Sequence, residues 1–200
     1  MPHRRMIAEL VEQVLDGTEL KLAVDGYRLQ ENLEEGRVEL ECEVHSTKTG
    51  ERYSIQGSGV GLVNAVFTAL LERYSDEYPS LKTLQFSDFS IQAHVATGDD
   101  KARSNMAAEV ELQVLNSEGR AFHFKHASRS ITGSSIYVVL ECVEFFVNSE
   151  RAFLAVYRAL EHAKEQNRHD SVERYTGQLA TLVEATSYSD VIERVRRGEN

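Results

Sequence analysis

Gly57, Gly59 and Gly61 stand at alternate positions in Gly57-Ser58-Gly59-Val60-Gly61, just ahead of an apolar series at Val63, Val66, Phe67, Leu70, Leu71 and Tyr74. That series has the spacing of one helix face. Glycine lifts the steric bar to close backbone approach, and the first turn of a helix leaves N–H groups free to receive an anion. Capture of a small anion by backbone dipoles is the chemistry on offer; a tight strand-to-helix turn and nothing more is the plainer reading. The other polar clusters offer less. Ser128, Ser130, Ser134 and Ser135 fall at a second helix start, where N-capping accounts for them, and no Gly-x-Ser-x-Gly elbow lies near. Gly57-x-Gly59-x-Gly61 is not the dinucleotide fingerprint. His123 and His126, an odd number apart on a strand, face opposite sides and cannot chelate one metal together. Asp99-Asp100 reads as a solvated turn. No catalytic constellation, metal site or cofactor is expected.

Composition limits the partners. The chain has 200 residues, 42% of them hydrophobic and 27% charged, as in an ordinary globular protein. A net charge of −10 argues against nucleic acid, which needs a basic patch, and against an anionic membrane surface. No run approaches the length of a membrane span, and acids interrupt any signal-peptide core after Met1. The only cysteines, Cys42 and Cys142, lie among apolar neighbours and read as buried reduced thiols. A cytoplasmic location is expected.

The elements that must position the glycine turn form a repeat. Residues 4 to 16 predict a helix ended by Gly17. Leu20 to Val24 and Gly26 to Gln30 predict two short strands. Val38, Leu40, Cys42 and Val44 alternate with Glu39, Glu41, Glu43 and His45, a strand with one dry face, and Glu51 to Gln56 returns as its hairpin partner. After the turn and helix, Leu84 to Ala96, Met106 to Val114 and Arg120 to Phe124 repeat the order, and a second helix opens at Ser134. Val38-Glu39-Leu40-Glu41 matches Val110-Glu111-Leu112-Gln113. The predicted fold is α+β: two pseudo-symmetric βββα units, residues 20–78 and 84–150, with antiparallel sheets packed on helices. A separate helix (1–19) precedes them and a helical appendage (151–200) follows, with amphipathic stretches over Val172 to Val183 and Val191 to Val195.

The second helix is apolar nearly all round from Ile136 to Val147. Such a helix lies between two layers. With few layers in a pair of βββα units, contact with a partner chain is the expectation.

Three stretches carry a family resemblance. Gly59-Val60-Gly61-Leu62-Val63-Asn64-Ala65 resembles the Gly-Asn-Gly-Pro-Val-Asp-Ala signature of the regulatory domain of 2-isopropylmalate and citramalate synthases. Tyr78-Pro79 followed by Asp88-Phe89 resembles that family's Tyr-Pro…Asp-Tyr strand, and Ser128 to Ser135 ending in Glu144-Phe145 resembles its last turn and helix. The resemblance covers about residues 20–150. It implies a homodimer holding an end-product amino acid, leucine or isoleucine, at its interface, and a separate catalytic synthase subunit, since the acyl-CoA/2-oxoacid condensing barrel and its metal site have no counterpart in these residues. By similarity Gly59, Gly61, Leu62, Val63 and Asn64 receive the effector's carboxylate and ammonium, while Phe86, Phe89, Ala93 and Ile131 line its apolar socket. Leu62 and Asn64 replace the family proline and aspartate. The alternative is an interaction dimer that has lost its effector and binds a protein partner through the helical tail.

Overall fold

The computed structural model describes residues 2–94 and 107–186. The expectations for Val95, the 97–104 loop with Asp99-Asp100, Met106 and a last helix at Val191 to Val195 lie outside the described residues. Helix α1 (Pro2–Leu15) is followed by strands β1 (Leu22–Asn32), β2 (Arg37–Ser46) and β3 (Arg52–Gly59) and helix α2 (Leu62–Tyr74). A 3-10 turn (Pro79–Thr83) leads into β4 (Gln85–His94), β5 (Ala107–Leu115), β6 (Ala121–Ser128) and helix α3 (Ile131–Glu165). Helix α4 (His169–Leu182) and a 3-10 turn (Val183–Ala185) close the described chain. The strands form two antiparallel three-stranded sheets, β1-β2-β3 and β4-β5-β6. The two βββα units are therefore real, each sheet followed by its helix.

Alternation in β2 does what its sequence requires. Val38, Leu40, Cys42 and Val44 are buried, while Glu39 and Glu43 are exposed. Burial pushes the Cys42 thiol up to about 11 and the Cys142 thiol higher still, which leaves both unreactive.

Two features of the first strands differ from the sequence reading. Leu22 to Asn32 is one strand, not two, because the ladder slips by one residue between Val24 and Gly26. The same slip occurs in β4 between Phe86 and Asp88. Each is a bulge whose extra residue, Asp25 or Ser87, lets residues an odd number apart share a face. The bulges also set the true register of the repeat. Val44 pairs with Val24 and Val114 with Phe86, so Leu40 corresponds to Val110. The visible sequence match, Val38 to Val110, is displaced by two residues, which preserves the face and hides the shift.

Helix α3 corrects a larger expectation. From Ile136 to Val147 every residue but the half-buried Tyr137 and Glu141 is buried, and by its own chain. β5 and β6, α2, the 3-10 turns, α1 and α4 all pack against it. The two outer helices that read as separate from the repeat supply the missing layers. Ile7, Val11 and Leu15 of α1 are buried there, and Arg4 fastens the helix to the second sheet, its guanidinium 4.1 Å from the Phe124 ring centre and donating to the His123 carbonyl at 2.8 Å. Asp16 and Gly17, both at positive φ, stop α1. Helix α4 turns back after Asn167, also at positive φ, and lies on α3 and α1. By length and composition α3 does reach a membrane span. It is nonetheless a core helix, and it carries Asn148, Ser149 and Glu150 buried at mid-length.

Those polar residues join the units. The Asn148 amide accepts from Leu20 N–H at 2.7 Å and donates to Leu20 C=O at 2.9 Å. Glu144 accepts from Leu22 N–H at 2.6 Å and Lys21 Nζ at 2.7 Å, and Glu150 accepts from Ser80 N–H at 3.1 Å. One helix of the second unit thus ties down the entry to β1 and the link that leads into β4.

The start of α3 is capped as its serines predict. Ser130 Oγ accepts from Gly133 N–H at 3.0 Å, and Ser128 Oγ bonds the Ser134 hydroxyl at 2.8 Å. Ser130→Ala is expected to cost about 1 kcal/mol, read as a lowered urea midpoint at unchanged slope.

Candidate functional site

The three glycines divide their work. Gly57 and Gly59 belong to β3 and point at α2. A Cβ on Gly57 would overlap the Ala65 carbonyl oxygen and stand 2.7 Å from Ala69 N. A Cβ on Gly59 would overlap Asn64 Oδ1 and stand 2.8 Å from Ala65 N. Both are therefore packing glycines, which let the helix backbone settle directly on the strand. Gly61 is the N-cap of α2, has extended backbone and open space around it, and carries no side-chain cap. Its carbonyl accepts the first helical bond, from Ala65 N–H at 2.9 Å. The preceding N–H groups, of Leu62, Val63 and Asn64, start the helix without a cap. Val60, just before them, is among the most exposed apolar residues.

Pseudo-symmetry sharpens the contrast. Gly59 pairs with Val38 and Ser128 with Ala108, which makes Gly61 the counterpart of Ser130. One helix start is closed by its own serine and the other is open. The counterpart of Gly57 is His126. Its imidazole is stacked on Tyr137, ring centres 4.9 Å apart, and bonded to Glu141 at 3.2 Å. His123 goes to the opposite face and meets Glu111, as the odd spacing requires.

Strand β4 passes beside α2. The Phe67 and Phe86 ring centres are 4.6 Å apart, so Phe86 is half-buried core rather than free socket. Phe89, Ile91 and Ala93 fall opposite Leu112, Val110 and Ala108, and Phe89 and Ile91 stand on the sheet's apolar face. Of the residues expected to bind effector, Gly59, Gly61, Leu62, Val63 and Asn64 follow one another around the α2 start, Phe86 packs on Phe67 of the same helix, and Phe89 and Ala93 lie further along β4.

Ile131 lies elsewhere. Helix α3 runs antiparallel to β1, since Glu144 meets Leu22 and Tyr137 lies 3.4 Å from Val24 N–H. Beyond Val24 the same strand carries Tyr27 and Leu29, both exposed. These two went unremarked in the sequence, where the bulge at Asp25 masks the alternation that puts them on the apolar face. Glu31, next along that face and opposite Val38, was missed too. The molecule thus has two equivalent pairs of exposed apolar residues, Phe89 and Ile91 on β4 and Tyr27 and Leu29 on β1, and two unlike helix starts, α2 open and α3 capped.

The structure is thus a pair of βββα units with an exposed apolar stripe on each first strand and one uncapped helix start. The model of the LeuA allosteric (dimerisation) domain matches residues 4–147, and the chain belongs to that family. Such a domain is not itself catalytic. The match begins within α1, in keeping with that helix's place in the core. No curated protein matches the chain.

Proposed function

We propose that this chain is a cytoplasmic regulatory subunit that forms a homodimer, binds a small branched-chain amino acid, leucine or isoleucine, and controls a separately encoded synthase of branched-chain amino acid biosynthesis. The observation that carries the reading is the uncapped α2 start, in a chain of an allosteric dimerisation family, with exposed Phe89 on the strand whose Phe86 packs against the same helix. A free amino acid needs donors for its carboxylate, an acceptor for its ammonium and a small apolar socket. The Leu62, Val63 and Asn64 N–H groups meet the first need, aided by the helix dipole at ~0.3–2 kcal/mol. Asn64 offers only a neutral acceptor where the family has an acid. The alternative role for the tail finds less support, because α4 lays Tyr175, Leu179 and Leu182 on its own chain.

Calorimetric titration and thermal melting with leucine, isoleucine and valine test the reading. One of them is expected to release heat and, at a hundredfold excess over Kd, to stabilise by about 2.7 kcal/mol, a rise of roughly 5–11 °C for a chain this long. Phe89→Ala, at an exposed position, is expected to remove that rise while leaving the ligand-free melting point within a degree or two. No heat and no shift with any of the three at millimolar concentration would sink effector binding.

A further inference from the structure

A cleft of about 420 Å³ lies between the first turn of α1 and β6. β6 and β4 are opposite edges of the second sheet, so this cleft stands apart from the strand that carries Phe89. His3, Arg4, Arg5, His123 and Lys125 line it over the buried ring of Phe122, and no acidic side chain does. Composition does not produce that bias, since the chain has 32 acidic and 22 basic residues. Acids do hold several of these cations. Lys125 Nζ meets Glu109 at 3.2 Å and Glu111 at 2.9 Å, His123 meets Glu111 at 3.2 Å, and Arg5 Nε donates to Glu9 at 2.8 Å. His3 shares Glu184 with Arg120. None of those acids lines the cleft. Arg4 has no carboxylate partner among the described residues, and its hydrogen bond goes to the neutral His123 carbonyl.

We propose that this cleft binds a small organic anion of two negative charges, a phosphate ester or a dicarboxylate with an apolar body. Guanidinium forks and an ammonium are the groups that recognise such anions, and here they converge from two elements, Arg4 and Arg5 from α1 and Lys125 from β6. Without a ligand the arrangement is costly. His3, Arg4 and Arg5 fall at the start of α1, whose first turn holds no acid, and cations there oppose the helix dipole. Burial also lowers the Arg4 guanidinium below its ordinary value, with the Glu141 charge opposing. An anion in the cleft relieves both. Phe122 and Ala8, which also line it, give the apolar body its surface. Sites for small molecules run from roughly 300 to 1,000 Å³, and a volume near the lower end suits a single ring or a short chain rather than a nucleotide. A ligand bridging Arg5 and Lys125 fastens α1 to the edge of β6. The proposal is independent of the effector reading, because none of the residues expected to bind leucine or isoleucine lines this cleft.

Calorimetric titration of the full chain with phenyl phosphate and with phenylmalonate, at fixed ionic strength, tests the site. At least one of the two is expected to bind saturably at millimolar concentration, and the tighter of them tells phosphate ester from dicarboxylate. Arg5→Gln and Lys125→Gln, both at exposed positions, are each expected to weaken that binding roughly tenfold, the equivalent of one hydrogen bond to a charged group. Either variant suffices should the other fold poorly by its melting curve. Arg37→Gln, which removes an exposed cation of β2, is expected to leave the affinity unchanged. Absence of saturable binding by both ligands would overturn the proposal. So would wild-type affinity in both Arg5→Gln and Lys125→Gln, or an equal loss in Arg37→Gln, which would show a response to net charge and no defined site.

Discussion

Replacing Gly57 by alanine is expected to destabilise the protein by about 3 kcal/mol, the upper end of what one inserted methyl costs a packed core. The reason lies in what surrounds the new carbon. It would overlap the Ala65 carbonyl oxygen and stand 2.7 Å from Ala69 N and 2.8 Å from Ala69 Cβ. These are atoms of a helix backbone or fixed to it, with no rotamer by which to retreat. Helix α2 would have to lift from β3, withdrawing Val66 and Leu70, both fully buried, from the core. A loss of that size lowers the melting temperature by roughly 6–12 °C. Gly61→Ala is the milder comparison: its backbone is extended, nothing lies within 4 Å of the added carbon, and only the roughly 0.5–1 kcal/mol by which alanine is a poorer N-cap than glycine is expected. Gly59→Ala should fall between, because one of its two obstacles is the Asn64 side chain, which can swing away, and the other is Ala65 N. Equal losses at Gly57 and Gly61 would show that these glycines serve turn flexibility and not helix seating.

That contrast marks how far the sequence could be read. The spacing of Val63, Val66, Phe67 and Leu70 predicts α2 within its observed bounds, and the alternation of β2 predicts its dry face. Both are local consequences of burying one side of a regular element. The glycines could not be apportioned in the same way. Three at alternate positions look alike in the chain, and only the height of α2 above β3 separates the two that pack from the one that caps. Tyr27 and Leu29 were illegible because a one-residue bulge at Asp25 breaks the alternation that would have announced them. Phe86 and Phe89 shared a face for the same hidden reason. The all-round apolar pattern of α3 correctly implied a second covering layer but not its source: α1 and α4 are amphipathic in the ordinary way, and nothing in that pattern says which apolar surface they meet. The βββα repeat and the open helix start could be read from the chain; the pairing of one open helix start with one capped one required the register.

Lys21→Met is expected to cost about 2–3 kcal/mol at pH 7 and almost nothing at pH 4. Breaking one side of a buried ion pair costs more than its net worth, because the remaining charge is stranded, and here the lysine is half exposed while Glu144 is buried, so the exposed partner lowers the figure below that for a fully buried pair. Burial already raises the Glu144 carboxyl above the ordinary glutamate value, opposed by the bonds from Lys21 and Leu22 N–H. An acid raised in the folded state binds its proton more tightly folded than unfolded. Its ionisation therefore removes stability as pH climbs from the unfolded value through the folded one, and the full stability is present only below that interval. Taking away Lys21 removes one of those opposing bonds, which widens the interval and deepens the loss above it. Below it the neutral carboxylic acid needs no counter-charge and wild type and variant converge. Adding Glu144→Gln to Lys21→Met should recover most of the loss at pH 7, since the amide oxygen can still accept from Leu22 N–H without carrying a charge. Urea unfolding at pH 4, 5.5 and 7 measures all three forms. A loss in Lys21→Met that is the same at every pH would mean that the lysine acts through its aliphatic stem and that Glu144 holds β1 without its help.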